Sequence, residues 1–196
     1  MVKVLDDELA VNQDYINGRI KYLNLVEKRG IQLIKLTGPS PSNVSIDSLS
    51  GLLLNVIYQG PYAPIVANYK SIMGSDDKNL IRHEKLMELL VEYDAKLELT
   101  HYPQFEMRDN IIQYLQTNYS SLHMLNVQSN RFFQNLKKED YTSNYFPIDS
   151  KTILSDRNFQ SMIVTRFEAN GYTIHLLKQL LEHIEEMREY ILNNYT

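Results

Sequence analysis

The stretch that decides the fold runs from Gly38 to Leu90. It opens with Gly38-Pro39-Ser40-Pro41 and passes through Ser45-Ile46-Asp47-Ser48-Leu49 to the block Leu52-Leu53-Leu54. It then reads Ala67-Asn68-Tyr69-Lys70-Ser71-Ile72-Met73-Gly74-Ser75 and Asn79-Leu80-Ile81-Arg82-His83-Glu84-Lys85-Leu86. Each breaker has a physical meaning. Glycine tolerates the left-handed conformation that closes a helix, and a following proline cannot continue one, so Gly38-Pro39 ends a helix. Ser45 is placed to N-cap a short second helix, with Asp47 in its first turn against the positive end of the helix dipole. Ile46, Leu49, Leu53 and Ile57 stand at i, i+3, i+7 and i+11 and give that helix one apolar face, which Gly60-Pro61 breaks. Pro64 suits the first position of another short helix through Met73, closed by Gly74. The stretch is a turnaround between long helices. Its serines and aspartates are caps, and it carries no recognisable chemistry.

Working outward, the segment from about Val4 to Leu36 places Leu5, Leu9, Ile16, Ile20, Leu23, Val26, Leu33 and Ile34 in three- and four-residue steps. Asn12-Gln13 interrupts this stripe. Gly18 and Gly30 each cost about 1 kcal/mol relative to alanine in a helix interior, so tertiary packing must hold this helix. A third long segment starts near Lys78 and runs to about Tyr119, with the stripe Leu86, Leu90, Tyr93, Leu97, Met107, Ile111, Tyr114 and Leu115. Pro103 lies inside it and should kink or break the helix, because it removes a backbone donor and clashes with the preceding turn. From Ser120 to Leu154 periodicity is lost. Phe132, Phe133, Tyr141, Tyr145 and Phe146 stand there among polar residues, which makes this a long, aromatic-rich connector. The last segment is the cleanest: Ser155 caps it, Asp156 complements its dipole, and Ile163, Phe167, Ile174, Leu177, Leu181, Ile184 and Ile191 keep near-heptad spacing. At 1.5 Å per residue its roughly 40 residues extend about 60 Å. No segment alternates as a strand does. The pattern predicts an all-α fold, an antiparallel bundle of three long helices plus two short ones. It forms a single domain over residues 1–196, with a short-helix insertion at about 46–74 and an irregular connector at about 120–154.

Composition narrows the function. Of 196 residues 43% are apolar and 22% charged, ordinary values for a globular chain with a sizeable core. The net charge of −4 argues against nucleic acid, since phosphate affinity comes from clustered Lys and Arg. The local pair Lys137-Lys138 is followed at once by Glu139-Asp140. Absence of cysteine excludes disulfides, thiolate metal sites and cysteine nucleophiles together. No apolar run reaches the roughly 18 residues that span a bilayer, and Met1-Val2-Lys3-Val4-Leu5-Asp6-Asp7 is not a signal peptide, so the chain reads as soluble. A start directly in a helix also fits the soluble part of a longer chain with an anchor upstream.

Catalytic constellations have characteristic spacings. Carboxylate-bridged di-iron bundles need paired Glu-x-x-His motifs and further inward glutamates. Glu98-Leu99-Thr100-His101 is the one such tetrad, and it reads as a surface glutamate and histidine near Pro103. The five histidines, His83, His101, His123, His175 and His183, are scattered, and His183 sits in Glu182-His183-Ile184-Glu185-Glu186, which reads as a solvated outer face. There is no His-Glu-x-x-His zinc motif, phosphate-cradling glycine loop or nucleophile elbow. No cofactor or metal is implied. Among fourteen tyrosines, Tyr93 and Tyr114 lie in the long stripes and read as core or core-edge residues. The cluster Phe132, Phe133, Tyr141, Tyr145 and Phe146 is the candidate binding surface, the alternative being that it covers the apolar seam of the bundle. Asn43-Val44-Ser45 and Asn118-Tyr119-Ser120 match the glycosylation triplet, which matters only in a secreted eukaryotic protein.

Taken as an ordered set, Leu36-Thr37-Gly38-Pro39, Ser45-Ile46-Asp47-Ser48-Leu49, Tyr69-Lys70-Ser71-Ile72-Met73-Gly74-Ser75, Asn79-Leu80-Ile81 and Ser155-Asp156-Arg157-Asn158-Phe159 resemble a bacterial family. It is a family of uncharacterised membrane-anchored proteins common in Bacteroidetes, catalogued as a domain of unknown function. The resemblance covers most of the chain and is weakest around residues 126–150. The spacing from Gly74 to Leu80 is longer than in the family. The resemblance implies a helical region outside the cytoplasm, periplasmic and held at the inner membrane by an upstream transmembrane helix that this chain lacks. It brings no activity and no catalytic residue. The expectation is a non-enzymatic domain that binds a protein or small-molecule partner. The alternatives are a metal-binding bundle enzyme using Glu98 and His101, or an architectural spacer.

Overall fold

The computed structural model describes residues 2–57, 63–74, 84–100, 104–119 and 149–195. Among them are seven helices and no strand. They are α1 (Val2–Leu36), α2 (Ile46–Ile57), α3 (Ala67–Gly74), α4 (Glu84–Leu99), α5 (Gln104–Tyr119), α6 (Ser150–Leu154) and α7 (Arg157–Tyr195). The all-α reading holds. The third long segment is two helices, α4 and α5, on either side of residues 101–103, which lie outside the described residues. The chain divides into two compact units, and α1 and α7 contribute to both.

The first unit comprises Met1–Leu23, Pro61–Pro103 and Tyr172–Thr196. Its core joins Leu5, Leu9, Ile16 and Leu23 of α1 with Leu86, Leu90, Tyr93 and Leu97 of α4 and Leu177, Ile184 and Ile191 of α7. Each such side chain contributes about 1.5–3 kcal/mol by leaving water. The break in the α1 stripe at Asn12 is a buried polar anchor. Its Oδ1 accepts from the Ile65 N–H at 2.9 Å, and its Nδ2 donates to the Ile65 carbonyl at 2.7 Å and to the Tyr93 hydroxyl at 3.2 Å. One turn earlier, the Glu8 carboxylate, also buried, accepts from the backbone N–H groups of Asn68 at 2.7 Å and Tyr69 at 3.0 Å. These two side chains decide where α3 begins. The sequence pattern puts its start at Pro64, but Asn12 holds Ile65 outside the helix and Glu8 satisfies the first free amides after Ala67. Tyr69 then packs edge-on against Tyr93, with ring centroids 5.3 Å apart.

His183 corrects another expectation. Far from solvated, it is 4% exposed, with Nε2 2.8 Å from the Leu89 carbonyl oxygen of α4. A carbonyl can only accept, so Nε2 carries the proton. Nδ1 faces Glu92 at 4.0 Å and Glu186 at 3.9 Å. The charged run around it supplies Glu186 and α4 supplies Glu92, while the ring itself is buried against the α4 backbone. Arg188 of α7 adds a link to α1, donating to Asp6 at 2.8 Å and to Gln13 at 2.7 Å.

The second unit comprises Asn24–Gly60 and Gln104–Gly171. Leu33, Leu49, Leu53, Val56, Ile111, Leu115, Ile153, Leu154, Phe159 and Ile163 form its core. Ser45 caps α2 as expected, its Oγ accepting from the Ser48 N–H at 3.2 Å. Gly38 has φ +139°, a conformation that favours glycine, and its N–H donates to the Leu154 carbonyl at 2.9 Å. The end of the expected connector is not irregular: residues 150–154 form α6, capped by Asp149, which accepts from the Lys151 N–H at 3.0 Å. Ser150 Oγ donates to the Val44 carbonyl at 2.6 Å, so α6 is hydrogen-bonded to both ends of the turn after α1. The cap of α7 also shifts by one residue. Asp156, not Ser155, accepts from the N–H groups of Asn158 at 2.8 Å and Phe159 at 3.3 Å. A carboxylate both caps and complements the dipole, so it displaces the serine.

Candidate functional site

The sequence-predicted binding residues Phe132, Phe133, Tyr141, Tyr145 and Phe146 lie outside the described residues, as do His83, His101 and His123. Glu98, the other half of the candidate metal tetrad, is exposed near the end of α4. His175 is exposed, whereas His183 is buried. Among the described residues, no group of three His, Cys, Asp or Glu side chains converges to hold a metal ion.

A different site emerges in the second unit, between α5 and α7. The spacing of Met107, Asn110, Ile111, Tyr114, Thr117 and Asn118 is helical, so they form one face of α5. Two hollows open along this face. One, of about 170 Å³, is lined by Met107, Asn110, Ile111, Ser161, Met162 and Thr165. The other, of about 280 Å³, is lined by Asn110, Gln113, Tyr114, Thr117, Asn118 and Met162. They share Asn110 and Met162 and form one cleft, floored by methionine and walled by amides and hydroxyls. None of these lining residues is charged. Thr165 donates to the Ser161 carbonyl at 3.1 Å and Asn118 to the Tyr114 carbonyl at 2.9 Å, so both serve their own helices. The side chains of Asn110, Gln113, Thr117 and Ser161 are exposed along the cleft.

One wall of the cleft is fixed by chemistry. Tyr114 donates to Asp156 Oδ2 at 2.7 Å, and Tyr119 donates to the same oxygen. The two rings meet edge to face, 6.3 Å apart. The bond to Asp156 raises the Tyr114 phenol above its usual range, and burial together with Asp156 does the same for Tyr119. Burial opposes ionisation of Asp156, but donors from Tyr114, Tyr119, Asn158 and Phe159 outweigh it and hold its carboxyl below the usual range. The carboxylate is therefore saturated and the phenols keep their protons at neutral pH. This arrangement ties the end of α5 to the start of α7. It offers neither a base nor an activated nucleophile.

The stripes did not disclose this site, because its stripe members Met107, Ile111 and Tyr114 read as core or core-edge residues and its polar members Asn110, Gln113, Thr117 and Asn118 as solvated surface. A signal did exist. From Asn110 to Asn130 the sequence contains no Asp, Glu, Lys or Arg, an unusual interval in a chain with 22% charged residues. No protein-family model, no curated protein and no solved structure matches the chain. Among the described residues, no helix is long and apolar enough to cross a membrane.

Proposed function

We propose that this protein is a non-enzymatic helical binding domain whose ligand enters the cleft between α5 and α7. The observation that carries the reading is the cleft's lining: adaptable methionines below, uncharged amides and hydroxyls around, and a wall braced by Asp156. Such a surface supplies shape and hydrogen bonds, and its perturbed groups, Tyr114 and Asp156, are bonded to each other rather than held ready for a reaction. The aromatic set Phe132, Phe133, Tyr141, Tyr145 and Phe146 remains part of the reading on sequence grounds alone. The resemblance to membrane-anchored proteins supports an extracytoplasmic, periplasmic location with an upstream transmembrane tether.

Methyl NMR of the methionines tests the cleft. Uncharged fragments bearing an amide or hydroxyl should shift the Met107 and Met162 resonances, and Met162→Arg should abolish the shift at Met107 while leaving the helical circular dichroism intact. Shifts spread evenly over all methionines, or a Met107 shift unaltered in the Met162→Arg variant, would overturn the assignment. The tether is tested in cells that express the native gene. The gene product should sediment with membranes and be released by detergent, and recovery in the soluble fraction after lysis would refute it.

A further inference from the structure

The protein contains its own example of how an amide on a helix can read another segment's main chain. Asn12 meets Ile65 with both halves of its side-chain amide: the carbonyl accepts from the Ile65 N–H at 2.9 Å, and the amino group donates to the Ile65 carbonyl at 2.7 Å. This two-point contact recognises a non-helical backbone whatever its side chain. The Ile65 side chain itself is 51% exposed and contributes little to the contact.

We propose that the cleft between α5 and α7 uses the same contact to bind a short, uncharged, extended peptide segment through its main chain, an assignment that rests on the binding reading above. Four observations converge on this ligand class. Asn110 and Gln113 each present one acceptor and two donors, the complement of a peptide N–H and C=O pair. From Met107 to Asn118 the face extends about 16 Å at 1.5 Å per residue. An extended chain advances about 3.3 Å per residue, so the face matches roughly five residues. Side chains of an extended segment alternate, so every second one would turn onto Met107, Ile111 and Met162, where the methionines repack around varied shapes. Among the described residues the lining has no charge, so an ionic ligand would lose hydration with no opposite charge there to replace it, whereas neutral amides exchange one set of hydrogen bonds for another.

The probe is the N-acetylated, C-amidated hexapeptide Ala-Leu-Ser-Leu-Ser-Ala, titrated into full-length protein carrying labelled methionine methyls. Saturable shifts at Met107 and Met162 are expected, with a dissociation constant below about 1 mM. The double variant Asn110→Ala, Gln113→Ala should weaken binding about tenfold or more, because the peptide groups it leaves unpaired are desolvated in the complex. Its fold is checked by circular dichroism and by the resonances of methionines outside the cleft. The same hexapeptide with alternate backbone nitrogens methylated should lose a similar factor, since its donors are gone. If the double variant keeps full affinity, or if the methylated peptide binds as well as the parent, main-chain recognition is overturned while the cleft remains a ligand site. Main-chain recognition falls in the same way if uncharged fragments shift the two methionines and the hexapeptide does not. If neither fragments nor hexapeptide shift them, the binding reading itself fails.

Discussion

At the scale of single residues, stability in this protein depends on a few polar atoms in apolar surroundings. Asn12 is 1% exposed and satisfies both main-chain groups of Ile65, so its removal strands a donor and an acceptor. Asn12→Ala should therefore lower the unfolding free energy by about 2–4 kcal/mol, read from the urea midpoint at unchanged slope. Asn12→Leu, which would continue the apolar stripe, should do no better, since it leaves the same groups unpaired. Gly30 presents the converse case. The Phe167 ring lies over its Cα, and a Cβ added there would stand 1.3 Å from Phe167 Cζ. Gly30→Ala gains helix propensity of about 1 kcal/mol but must displace the ring, and a net loss of about 1–2 kcal/mol is expected. A thermal melt of this variant beside Gly18→Ala, where a Cβ meets nothing within 4 Å, separates the two terms, because Gly18→Ala should stabilise.

At the scale of elements, tyrosine hydroxyls couple helices in a pH-dependent way. Burial pushes the Tyr93 phenol up to about 12, and Tyr114 and Tyr119 are raised through Asp156 and burial. The folded state thus favours the neutral phenol, so this stability is fully present below the unfolded value of about 10 and erodes as pH rises beyond it. Asp156 has the opposite sign: its depressed value contributes stability above about pH 4 that is lost on further acidification. Circular dichroism should show helicity falling between about pH 10 and 12. Tyr93→Phe should move that alkaline midpoint upward while losing about 1 kcal/mol at neutral pH, where its hydroxyl bonds Asn12. An unmoved midpoint would exclude Tyr93 as a source of the transition. Most of the elements were legible in the sequence because helix periodicity and glycine-proline breaks are local signals. The stripe residues of α4, such as Leu86, Leu90, Tyr93 and Leu97, are all buried. What was not legible depends on partners distant in sequence. The start of α3 is set by Glu8, some 60 positions away, and His183 is buried against a carbonyl 94 positions away. The cleft left only the charge-free interval after Asn110 as a trace, for a related reason: an uncharged polar face on α5 looks like ordinary surface until α7 supplies the opposing wall.

At the scale of the whole molecule, two cores share two helices. Leu90 is fully buried in the first unit, and Leu53 is 1% exposed in the second. Each unit holds its own contiguous apolar cluster, so local stability need not be uniform along α1 or α7. Leu90→Ala removes side-chain volume that its neighbours refill only in part, at a cost of about 2–5 kcal/mol. Native-state hydrogen exchange should report that cost mainly at the amides of α3, α4 and the first half of α1. The amides of α2 and α5 should keep protection close to that of the parent. Leu53→Ala should produce the mirror pattern, deprotecting α2 and α5 and sparing α4. A uniform drop in protection across all helices for either variant would mean that the two clusters melt as one cooperative core. The same measurement bears on ligand binding. If the second unit opens separately, occupation of its cleft should raise protection in α5 and in the start of α7 while leaving α4 unchanged, because a ligand stabilises only the equilibrium to which it is coupled.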